Sequence, residues 1–137
     1  MNYWLLKSEP FKYAWSRLIA DGRTHWDGVR NYQAANNLKA MRLGDRAFFY
    51  HSNEGLEIVG VAEILREAYP DPSDESGRFV MVDVGPLFPV PRPVTLQAIK
   101  AEPRLADLAL VRQSRLSVVP VSAAEWAILL DMAGVER

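Results

Sequence analysis

The sequence predicts an α+β fold, a small barrel-like mixed sheet of five or six strands with flanking helices. Three observations carry that expectation. Short runs rich in β-branched and aromatic residues recur along the chain, bounded by Pro, Gly and Asn turns. Helical stripes stand between some of these runs and close the chain at its end. Strictly alternating strand and helix units are absent, which disfavours a doubly wound parallel sheet.

Taken in order, residues 3–7 read as a short buried strand, and Ser8-Glu9-Pro10 ends it, because proline cannot continue a central strand. Phe11, Ala14, Trp15, Leu18 and Ile19 recur at helical spacing, with Trp15 in the core and Gly22 as a C-terminal stop. Asn31 caps a second helix over 32–41, whose apolar side includes Ala34, Leu38 and Met41. Residues 46–52 form an aromatic-rich strand, and 57–68 a longer one in which Gly60 marks a bend or bulge. Residues 69–77 are a polar, Pro-rich loop. Residues 78–84 alternate, with Val80, Val82 and Val84 on one face. Pro86, Pro89, Pro91 and Pro93 make the next stretch an extended connection or edge. Residues 96–100 and 105–110 are short helical segments divided by Pro103, and 116–121 is a last strand. Ser122 and Glu125 form a capping box that opens a final helix through about residue 133, closed by Gly134.

At 137 residues, 49% apolar and 24% charged, the chain has the size and balance of one globular domain over 1–137. No apolar run reaches the roughly eighteen residues of a membrane span, and the start carries no basic leader, so no membrane association and a cytoplasmic location are expected. Without cysteine there is no disulfide frame, thiol nucleophile or Cys-ligated metal. His25 and His51 lack a carboxylate at metal spacing, so neither a metal nor another cofactor is expected. The net charge of −1 argues against coating of long duplexes. Its distribution is uneven: residues 1–50 hold eight Lys/Arg against four Asp/Glu, and residues 51–90 hold two against eight. The basic first fifty residues, set against the acidic stretch that follows, suffice for a handful of phosphate contacts.

That basic segment contains the chain's most unusual stretch, residues 25–37. It combines Trp26 and Tyr32 with Arg30, Asn31, Gln33, Asn36 and Asn37. An aromatic plate beside planar amides and a guanidinium offers a π-face and edge donors to a heterocycle. The commoner role for such residues is packing by the ring and capping or solvation by the amides.

The residues 3–10, 26–34 and 49–53 resemble the signature blocks of the EVE domain family. So do Gly60-Val61-Ala62-Glu63, Ala68-Tyr69-Pro70-Asp71-Pro72, Val82-Asp83-Val84, Arg92-Pro93-Val94 and Arg115-Leu116-Ser117-Val118. The resemblance runs nearly the whole chain in order. It implies a PUA-like pseudo-barrel, shared more distantly with YTH readers of methylated adenine, and a binding module for modified bases in DNA or RNA. Trp26 matches the position of the first wall of the YTH aromatic cage. Lys7 and Ser8 match the Lys-Ser pair beside it, and residues 49–53 match the strand end across from it. The loop after Tyr69-Pro70-Asp71-Pro72 is shorter than in many members, so Tyr69 or Phe79 supplies a second wall or the pocket is open on that side.

With the resemblance added, Trp26 is expected to face a ligand. Lys7, Ser8, Glu9, Arg30, Asn31, Tyr50, His51, Ser52 and Asn53 are the other candidate binding residues. Each has a plainer alternative: an Arg30 ion pair with Asp27 or Glu9, an Asn31 helix cap, a hydrogen-bonded structural His51. No nucleophile elbow, P-loop or zinc-protease pattern occurs. Two functions therefore stand: a non-catalytic reader of a modified base, or a small hydrolase or nucleobase-processing enzyme using Glu9 or Asp27 with His51.

Overall fold

The computed structural model describes residues 1–136. Its centre is a six-stranded mixed sheet: β1 (Tyr3–Ser8), β2 (Thr24–Trp26), β3 (Arg46–His51), β4 (Glu57–Pro70), β5 (Val80–Thr95) and β6 (Val118–Val121), in the order β2-β5-β4-β3-β1-β6. Only β1 and β3 pair in parallel; every other neighbour is antiparallel. The mixed sheet matches the expectation, but it is open. The two end strands, β2 and β6, do not meet, because the three residues of β2 pair with β5 alone.

Helices α1 (Pro10–Tyr13), α2 (Trp15–Asp21), α3 (Tyr32–Ala40), α4 (Leu96–Ala101), α5 (Ala109–Arg112) and α6 (Ala123–Met132) flank the sheet. Asn31 caps α3 by accepting from the Ala34 N–H at 2.9 Å. Ser122 and Glu125 cap α6 reciprocally, at 3.1 and 2.9 Å. The continuous helix expected from Phe11 to Ile19 is instead two pieces. Ala14 is extended (φ −83°, ψ 161°), which turns Phe11 out to 70% exposure and leaves Trp15 and Leu18 as the buried side of α2. The helix expected over 105–110 is likewise a 3-10 turn at Pro103–Leu105 followed by α5.

The strand Val80–Thr95 runs straight through all four prolines. It tolerates them because β2 flanks it only at Val82–Val84, and beyond that point β5 is an edge. Pro120 fits β6 for the same reason. Beta strands present alternate residues to opposite faces, and β3 uses this to divide the core. Phe48 stacks on Trp126 of α6 at 4.0 Å between centroids. Phe49 meets the edges of Trp15 at 5.4 Å and Trp26 at 5.7 Å. The Phe49 face leads to the candidate site.

Candidate nucleic-acid interface

Trp26 ends β2, and its backbone pairs with Val82. The strand is fixed by the buried carboxylate of Asp83, which accepts from Arg23 at 2.9 Å, from Tyr69 and, on its other side, meets the His25 Nδ1 at 3.0 Å. Burial alone would raise the Asp83 carboxyl, but these donors outweigh it and hold it at about 2. The ring of Trp26 packs edge-on against Phe49 and stays half-buried.

After Trp26 the chain turns at Gly28, whose φ of +77° suits glycine. Asp71 then ties the loop down from across the sheet. Its buried carboxylate accepts from the Gly28 N–H at 2.9 Å, from Arg30 at 3.2 Å and from the Ser73 N–H and hydroxyl at 2.8 and 2.6 Å. Burial pushes this carboxyl up, and the bonds from Ser73, Gly28 and Arg30 overcome it and hold it at about 2. The Arg30 ion pair is thus with Asp71, not with Asp27 or Glu9, and its guanidinium also lies 5.5 Å from the Phe79 ring.

These restraints shape a cleft of about 620 Å3. Trp26, Lys7, Ser8, Glu9, Arg30 and Asn31, six of the sequence candidates, all line it. Tyr13, Lys12 and Asp27 line it as well. The sequence carries no marker for Tyr13, because its position depends on the break between α1 and α2 at Ala14. Its carbonyl accepts from the Ser8 hydroxyl at 2.6 Å, and its own hydroxyl donates to Asp21 at 2.9 Å. Neither Tyr69 nor Phe79 reaches the cleft. Tyr69 is held by Asp83 under the Arg66 guanidinium, and Phe79 packs against Tyr32.

The segment 50–53 lies elsewhere. Tyr50, Ser52 and Asn53 line a neighbouring cleft of about 410 Å3, which shares Lys7, Glu9 and Ser117 with the first. His51 lines neither. Its Nε2 accepts from the Trp15 backbone N–H at 3.1 Å, so the ring stands as a structural acceptor, and burial lowers its pKa. Glu9 is engaged on both oxygens, by Asn53 and by Lys12 at 3.2 Å. Lys7 donates to the Ser114 carbonyl at 2.8 Å, and burial lowers its pKa. The first cleft therefore offers a half-exposed indole, a phenol ring, amide and hydroxyl edges, and three cations against two carboxylates. Among the described residues, no group of three His, Cys, Asp or Glu side chains is placed to hold a metal ion.

Residues 2–132 match the EVE domain as a family. The chain belongs to the EVE domain family. Within it, the solution structure of a Rhodopseudomonas palustris protein is 57% identical and superposes with a TM-score of 0.95, covering 100% of this chain and 97% of the other. Thymocyte nuclear protein 1 of Rattus norvegicus is 37% identical, covering 98% of this chain and 75% of its own length. The crystal structure of human THYN1 in complex with 5-methylcytosine-containing DNA is 34% identical with a TM-score of 0.92, covering 100% of both chains. A more distant neighbour in fold is the YTH domain of a Zygosaccharomyces rouxii protein, solved with N6-methyladenosine RNA. It has 17% identity and a TM-score of 0.62, over 99% of this chain and 86% of the other. This last likeness shows that the EVE sheet and the YTH sheet share a fold.

Proposed function

We propose that this chain is a single EVE module that binds nucleic acid without catalysis and takes a modified base into the cleft beside Trp26. The observation that carries the reading is the cleft itself. It sets the half-buried indole of Trp26 and the ring of Tyr13 among the cations Lys7, Lys12 and Arg30, in a chain 34% identical to a protein solved with 5-methylcytosine DNA. An exposed ring face stacks on a heterocycle, while Ser8, Asn31 and the backbone of residues 27–30 offer groups for its edge.

The hydrolase alternative draws no support from the site. His51 has its Nε2 lone pair committed to the Trp15 N–H and lies outside the cleft, Glu9 is bridged to Lys12 and Asn53, and Asp27 lines the cleft without His51. A general base needs a free lone pair within reach of the proton it takes. Reading also requires access to nucleic acid, which the expected cytoplasmic location allows. The vertebrate relatives are named for the nucleus. Among the described residues, no helix is long and apolar enough to cross a membrane.

The test is a binding panel of single-stranded and duplex oligonucleotides with 5-methylcytosine, N6-methyladenine or unmodified bases, read by fluorescence anisotropy. Trp26→Ala is expected to weaken binding to the preferred oligonucleotide by about 5- to 150-fold, the worth of one stacked base at about 1–3 kcal/mol. This loss should change little with salt. Equal affinity of wild type and Trp26→Ala for every oligonucleotide would overturn the reading.

A further inference from the structure

The second cleft carries a feature that the base site does not explain. Tyr50 is only 2% exposed, and among the described residues its hydroxyl has no hydrogen-bond partner. Among the described residues, every fully buried side-chain nitrogen or oxygen is satisfied. The Tyr50 hydroxyl is therefore the part of the residue that reaches open space, and the space it borders is this cleft. Burial raises its pKa, so it stands as an O–H donor at neutral pH.

Three cations line the same cleft, and of these Lys7 is engaged by the Ser114 carbonyl. Among the described residues, the Lys100 ammonium and the Arg115 guanidinium have no hydrogen bond, ion pair or ring contact, whereas Arg112 nearby is paired with Asp107 at 3.0 Å. The single carboxylate in the lining, Glu9, is already neutralised by Lys12. An unpartnered hydroxyl donor with two unpaired cations is complementary to a tetrahedral oxyanion. Leu56, Leu110 and Val111 add an apolar wall of the kind that a sugar covers.

Continuity with the base cleft identifies where the anion comes from. The two share Lys7, Glu9 and Ser117, so one molecule can occupy both. We infer that the second cleft binds the backbone phosphate adjoining the recognised base, held by Tyr50, Lys100 and Arg115. This inference rests on the reader function, and it makes the ligand a strand rather than a free base or nucleoside.

The experiment measures affinity against salt for single-stranded oligonucleotides carrying one 5-methylcytosine or one N6-methyladenine. Each is made with ordinary linkages or with uncharged methylphosphonates on both sides of the modified base. The proteins are wild type, Tyr50→Phe, the double variant Lys100→Ala/Arg115→Ala, Trp26→Ala, and a control, Arg46→Ala/Arg78→Ala, which removes two unpaired cations outside both clefts. The double variant is expected to lose roughly tenfold or more at low salt, with the salt slope shallower by about 0.7, the worth of one neutralised single-strand phosphate. Tyr50→Phe should lose a few-fold. The methylphosphonate oligonucleotide should bind wild type and the double variant alike. The control should bind as wild type does.

Wild-type affinity and slope in the double variant, with Trp26→Ala still defective, would overturn the phosphate site and leave the reader function standing. An equal loss in the control would overturn it too, as plain long-range attraction. No binding of either modified oligonucleotide by wild type would overturn the reader function and this inference together.

Discussion

The indole of Trp15 fills the space that a side chain on Gly60 would need: a Cβ there would fall 2.4 Å from the ring. Gly60 sits at a shift in the register between β4 and β5, and the closeness of ring to backbone explains why no larger residue fits. Trp15 in turn meets Phe49, and Phe49 meets Trp26, so the floor of the cleft rests on this contact. Gly60→Ala should destabilise the fold by about 1–3 kcal/mol, as overpacking of a filled core does. The fall in Tm on thermal unfolding measures it, and a matching loss of oligonucleotide affinity in the folded variant should accompany it.

Asp71 supports the rim of the same cleft. Asp71→Asn keeps the shape of the side chain but removes the charge that Gly28 and Arg30 address, and a hydrogen bond to a charged group contributes about 1.5–3 kcal/mol. Amide hydrogen exchange should quicken at residues 28–30 in this variant while the β3 and β4 amides keep their protection. Unchanged protection of the loop would show that packing, not the carboxylate, holds it.

Two of the buried aspartates, Asp71 and Asp83, shape the response to acid. Asp71 and Asp83 both titrate at about 2 in the fold, against 3.8 for a free side chain. The unfolded chain takes up these protons first as pH falls, so the stability that the pair contributes is complete above about pH 4 and is lost as pH drops towards 2. Each shift corresponds to roughly 2 kcal/mol. Thermal melts between pH 7 and 2 should show a nearly flat Tm down to about pH 4.5 and then a fall, shallower in Asp71→Asn and in Asp83→Asn.

His51 separates a structural from a chemical role. His51→Ala leaves the Trp15 N–H without its acceptor, and an unmade buried hydrogen bond costs about 1–3 kcal/mol. The variant should melt earlier than wild type. Mass spectrometry of the panel oligonucleotides after long incubation should find every bond intact with both proteins. Product formed by wild type and absent with His51→Ala would establish the enzyme instead.

Signals that act within one or two turns were legible in the sequence. The Asn31 cap and the Ser122–Glu125 capping box name their helices from four residues each, and Gly60 marks the irregularity in β4. Elements made by distant partners were not. The strand Thr24–Trp26 has three residues and depends on Asp83 and the Val82–Val84 backbone, some sixty positions away. The prolines of β5 leave an extended connection and an edge strand both open in the sequence, and the sheet order decides for the edge. In the candidate site, the grouping of Trp26 with residues 7–9 followed the family blocks. Tyr13 had no such marker, and the separation of Tyr50, Ser52 and Asn53 into a second cleft depends on the path of residues 114–117, which Lys7 pins to β1.

The tether from Asp71 to Gly28 and Arg30 also bears on how such a pocket changes over generations. The aperture hangs on polar links to one carboxylate, while exposed rim residues such as Lys12 and Asp27 border solvent rather than interdigitating with the core. Substitution there alters what the cleft admits at little cost to folding. At this rim, unlike at Gly60, what the proposed cleft admits and how stably the chain folds vary separately, so a lineage can change the one while its sheet stands still.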